Sequence, residues 1–199
     1  LTSGFAIPVS QTFGAKDYSK MRQYVYNGII IAIVFSILYA IIIVVFCKPL
    51  LRILQTPEEI INHASDYIII IFAGIPFGFL YNFSSGILRS VGDSKTPLYF
   101  LLFSSVLNVV LDLVCIIIFN LGIRGAAIAT IFSQLVSGIL CLIYIKKKFP
   151  ILKLQSEDKV FSWKLCKDLC SMGIPMGLQY SITGIGSVIL QSSVNCLGW

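Results

Sequence analysis

The residues in this chain best suited to chemistry are Asn108 and Asp112, one helical turn apart inside "LNVVLDLVCIIIFNLGIRGAAIAT", from Leu107 to Thr130. The stretch is otherwise apolar enough to cross a bilayer. A carboxyl at that depth is costly unless it is paired, protonated or open to water, so it points to function. Asp112 supplies negative charge, while Asn108 and Thr130 offer neutral oxygens. Such an oxygen set suits a proton or a hard cation such as sodium.

Spacing gives the set a geometry. Ser104, Asn108 and Asp112 recur every fourth residue, and beyond a turn Ala126, Thr130, Gln134 and Ser137 also follow helical spacing. Two antiparallel helices joined at Leu121 would set Asp112 level with Thr130 and Asn108 level with Gln134. Asp112 would then lie about 13 Å of helix from the turn, against a bilayer half-core of about 15 Å, near the midplane. Taken singly, Ser104, Asn108 and Thr130 also read as interhelical glue. For Asp112 that reading requires a protonated carboxyl packed for structure.

A second polar stripe, Gln179, Thr183, Ser187, Gln191 and Asn195, also recurs every fourth residue. It fits cavity lining and helix packing alike, and Gly173, Gly177, Gly184 and Gly186 beside it favour close packing. Gln179, Thr183 and Gln191 are the candidates for a substrate cavity.

The composition supplies the elements that carry these residues. The chain is 57% hydrophobic and 12% charged, with a mean hydropathy of +0.89. Nearly charge-free stretches at 23–47, 67–88, 96–123, 125–145 and 169–199 each exceed the roughly 20 residues that span a bilayer. They lack period-2 alternation, so they read as helices, and the class is an all-α polytopic membrane bundle. The six cysteines show neither CxxC spacing nor nearby histidines and read as small packing residues in a reduced chain. The first residue is Leu rather than Met and the chain closes on apolar Trp199, which reads as an internal fragment of a longer chain.

Charge orients the bundle. Residues 16–22, 89–95 and 146–167 hold most of the Lys and Arg, whereas the alternate connections hold only Lys48, Arg52 and Arg124. The positive-inside rule places the first set in the cytoplasm, where anionic lipid accounts for the net charge of +6 and no nucleic acid is needed. "TPEE" at 56–59 and "SKTP" at 94–97 read as helix starts, Asn120 to Arg124 as a tight external turn, and Ser162 as a cap before Trp163. "GIPFG" at Gly74 and "GIPMG" at Gly173 mark expected kinks. His63, beside Glu59 and Asp66, reads as a solvated surface residue. Walker loops, HExxH and a Ser-His-Asp set are missing from the sequence.

"GILRSVGDSKTPLYF", "LNVVLDLVCIIIFNLGIRGAAIATIFSQ" and "MGIPMGLQYSITGIGSVILQSSVN" together resemble the multidrug and toxic compound extrusion (MATE) transporters, over essentially all 199 residues. The resemblance implies a twelve-helix, two-lobed antiporter, not an enzyme. It would use a sodium or proton gradient, with no cofactor, to expel small amphipathic, often cationic compounds. It implies a cation site at Asn108, Asp112, Ala126 and Thr130. Residues 1–148 would then be a partial amino-terminal lobe (the end of helix two, helices three to six), 149–164 a cytoplasmic linker, and 165–199 the first helix of the second lobe. The partners would be the bilayer, the substrates and the rest of the polypeptide, which would hold a first-helix carboxylate. A lipid-linked oligosaccharide flippase should need cationic side chains within its spans, and the sequence offers none there; a membrane-embedded enzyme would need its site elsewhere.

Overall fold

A computed structural model describes residues 2–53 and 58–196, which are helical with no strand among them. Thr56 and Pro57 of the expected "TPEE" start lie outside the described residues, as do the side chains of His63 and Asn195.

Helix α1 (Thr2–Gly14) ends in a left-handed turn at Lys16 (φ 59°), with Asp17 N–H donating to the Thr12 carbonyl at 3.0 Å. The Asp17 carboxylate then accepts from Lys20 N–H at 3.1 Å, capping α2 (Tyr18–Ile53). Its apolar part, Tyr18–Cys47, is long enough to cross a membrane. Helices α3 (Glu58–Ala73) and α4 (Ile75–Ser90) follow one another with a bend of 42° at Gly74 and together have the length and apolarity of one span. A Cβ on Gly74 would collide with the Ile131 side chain, so the bend is also a close approach to α6. The expected kink is therefore present here. At its counterpart, α7 (Trp163–Cys196) runs as one helix through Pro175.

Gly92 closes α4 with φ +91°, a conformation that favours glycine. Helix α5 (Lys95–Leu113) follows, with Ser94 before it, but the Ser94 side chain makes no capping bond. Asp93 does that work, accepting from Thr96 N–H at 3.0 Å and from its hydroxyl at 2.7 Å. A π-helical turn (Val114–Ile118) continues α5, and the chain reverses through Asn120 (φ 52°) and Gly122 (φ 55°) into α6 (Gly122–Lys148). The turn is as tight as expected.

Three helical segments, Tyr18–Cys47, Lys95–Ile118 and Gly122–Lys148, are long and apolar enough to span a membrane, and the bent α3–α4 pair makes a fourth. The expected fifth, α7, has the length but falls short in apolarity among its described residues, because polar side chains recur along it. The chain is a multi-pass membrane helical bundle. Among the described residues, helix α6 packs against α3, α4 and α5, whereas α7 touches α1 and α2 and no other helix. Gly173 meets Gly4 there: a Cβ on Gly4 would lie 2.5 Å from the Gly173 Cα. Gly184 and Gly186, expected in close packing, face open space.

The 149–164 connection is fixed to α2. Asp158, 1% exposed, accepts from Arg22 Nε at 2.5 Å, Gln155 N–H at 3.0 Å and Ser19 Oγ at 3.4 Å. The Arg22 guanidinium holds the Asp158 carboxyl below the usual carboxylate range, with the Gln155 and Ser19 bonds helping against the opposing effect of burial. Asn27, fully buried, donates to the Val160 carbonyl at 3.1 Å and accepts from Ser162 N–H at 3.0 Å.

Candidate functional site

The α5–α6 pair is stitched by three contacts. Ser137 Oγ donates to the Phe100 carbonyl at 3.0 Å, Ser104 Oγ to the Ser133 carbonyl at 2.9 Å, and Asn108 Nδ2 to Thr130 Oγ1 at 3.4 Å. The Thr130 hydroxyl proton goes to the Ala126 carbonyl at 2.9 Å, which leaves an oxygen lone pair to receive Asn108. Each step of four along α5 meets a step of three or four along α6. The next turn on this register sets Asp112 level with Ala126.

This corrects the expected pairing by one turn. Asn108, not Asp112, is level with Thr130, and Gln134 is not opposite Asn108: its amide oxygen would lie 2.8 Å from a Cβ on Gly78 of α4. Two features shift the register: the reversal runs through residues 119–121 before α6 begins at Gly122, so it is not centred on Leu121, and the π turn, with bonds from i to i+5, winds an extra residue into the end of α5. Gly125 seats that turn, since a Cβ there would come within 2.9 Å of Cys115 Cβ.

Asp112 is half-buried, and its Oδ1 is buried without any hydrogen-bond partner. Native proteins satisfy nearly all such atoms, so this oxygen stands out among the buried polar atoms of the described residues. Ala126 opposite adds no side chain beyond Cβ. The structure thus brings Asn108, Thr130 and Ala126 together and places Asp112 one turn along the same seam, two residues before the π turn.

Gln179, Thr183 and Gln191 are not gathered with them. All three are exposed on α7, which makes no contact with α5 or α6 among the described residues. Thr183 Oγ1 donates to the Gln179 carbonyl at 2.9 Å. At the α5–α6 turn, Arg124 pairs with Asp66 at 2.5 Å, tying α6 to α3. That bond, Asn27 and the Asp158 clamp went unseen in the sequence; an Asn inside the apolar run "YNGII" was the available signal.

The MatE family model matches residues 1–114. Among curated relatives, the probable multidrug resistance protein YpnP of Bacillus subtilis is 38% identical over 96% of this chain and 42% of its own length. YoeA of the same organism, also named a probable multidrug resistance protein, is 30% identical over 98% of this chain and 44% of its own. A solved outward-facing structure of a multidrug resistance MATE family transporter of the MOP superfamily superposes with a TM-score of 0.87 at 24% identity, covering 96% of this chain and 43% of that one. The chain spans about two-fifths of the length of the curated relatives it matches.

Proposed function

The chain belongs to the MATE family, and on that premise we propose that it forms the cation-coupled part of an exporter of small amphipathic, often cationic compounds. In this reading Asp112 exchanges a sodium ion or a proton, with Asn108 and Thr130 as flanking oxygens and Ala126 leaving room. Residues 1–148 belong to one lobe, 149–164 link it to a second, and α7 opens that second lobe. The observation that carries the reading is the buried Asp112 Oδ1 with no protein partner, one turn from an amide held by Thr130. A cation arriving there gains a charged ligand that no protein group already occupies. Neutralised Asp112 attracts a cationic substrate less, which favours release; recharging restores the attraction. Gln179, Thr183 and Gln191 are proposed to face the substrate path only once the second lobe stands beside α7.

The test is the initial efflux rate of a fluorescent cation from vesicles carrying the full-length protein, against imposed sodium and pH gradients. Asp112→Asn keeps the size of the side chain and deletes its exchangeable charge. It is expected to insert normally and lose gradient-driven efflux. Wild-type transport by Asp112→Asn, with unchanged gradient dependence, would overturn the coupling role.

A further inference from the structure

Away from Asp112, between α2, α4 and α6, lies an apolar cavity of about 420 Å³ whose cytoplasmic end is bounded by the 149–164 connection. A second cavity of about 160 Å³ continues it through the shared residues Ile29, Leu80 and Phe83 to Pro76 beside the bend. From Ile87 to Pro76 the groove follows about 16 Å of helix, close to the hydrocarbon depth of one leaflet, about 15 Å. Its polar features are few. Lys146 and Lys153 line the cytoplasmic end, both exposed, and no carboxylate lines the cavity. Ser84, fully buried, also lines it, and its hydroxyl has no hydrogen-bond partner.

We propose that this groove is a binding site for one anionic phospholipid of the cytoplasmic leaflet, its acyl chain in the slot and its phosphate between Lys146 and Lys153. The apolar lining fits the chain, and the two ammonium groups complement the headgroup and repel the cationic compounds proposed for the export path.

The experiment titrates the purified full-length protein, in neutral detergent, with phosphatidylglycerol or phosphatidylcholine of identical chains, and counts bound lipid by native mass spectrometry. This readout needs no transport, so it stands apart from the coupling proposal. Phosphatidylglycerol is expected to bind roughly tenfold more tightly, in line with the attraction of two basic side chains at a membrane surface. Lys146→Gln with Lys153→Gln should bring the ratio near one. Lys147→Gln with Lys148→Gln, which removes equal charge outside the cavity, should leave it unchanged. Ser84→Leu should lower occupancy by both lipids, and if that variant fails to fold the lysine pairs still decide. Absence of preference, equal loss in the two lysine pairs, or no retained lipid because protein fills the slot would each overturn the site.

Discussion

At Thr130 one hydroxyl does two jobs: it donates to the Ala126 carbonyl and accepts from Asn108. Thr130→Val keeps the shape and removes both bonds, and we expect a loss of about 0.6 kcal/mol, the typical size of such a bond in a membrane bundle, read as a small drop in melting temperature. Thr130→Ser should restore it. In the efflux assay both Thr130→Val and Asn108→Ala should weaken sodium dependence less than Asp112→Asn does, because they remove neutral ligands and leave the charge. The residue types of this site were legible from sequence, since hydration cost alone singles out Asp112. The register that pairs its neighbours across the seam was not. Counting from the turn assumed ideal helix on both sides, and nothing in "VCIII" announces a π turn.

Among the elements, that π turn is held from two directions. Leu121 N–H reaches back to the Cys115 carbonyl at 3.0 Å, and Gly125 of α6 lies flat against Cys115. Gly125→Leu should overpack this contact and cost about 1–3 kcal/mol in thermal or denaturant unfolding. Gly184→Leu, where a side chain meets open space in the structure, should cost nothing and gain up to about 1 kcal/mol from the better helix propensity of Leu. Single cysteines at Lys20 and Lys146 should label from the cytoplasm and one at Asn120 from outside; labelling of Asn120 and Lys146 from one side would break the α5–α6 hairpin assignment. The spans themselves were readable because a bilayer demands long apolar runs. The caps were less so: Ser94 and Asp93 are adjacent and equally able, and only the path of the chain selects Asp93.

For the molecule as a whole, the 149–164 connection is no loose tether. Asp158 is ionised against Arg22 with a depressed pKa, so its contribution is complete above the unfolded-state value and fades as pH falls through the lower folded one. Limited proteolysis of this segment should therefore stay slow at neutral pH and accelerate only in acid below the usual carboxylate range. Asp158→Asn should free the segment at neutral pH too, at a cost of about 2 kcal/mol for the lost charged hydrogen bonds. The sequence shows a charged, polar stretch that reads as a cytoplasmic linker, with nothing to say how it is held. Its anchoring depends on Arg22 and Asn27, more than 130 residues away, a pairing that only the folded chain brings about.

The crossing of α1 and α7 has a mechanical side. Where Gly4 meets Gly173, backbone rests on backbone with no side chains between them. Bare glycines let the two backbones close to a distance that any side chain would hold open, while Leu165 and Leu169 of α7, buried in one cluster with Phe5, Val9 and Met21, fix its rotation. If α7 belongs to a second lobe, that lobe is anchored on the first by this crossing as well as by the segment clamped at Asp158. Alanine at Gly4 or Gly173 would act as a wedge, prising the crossing apart.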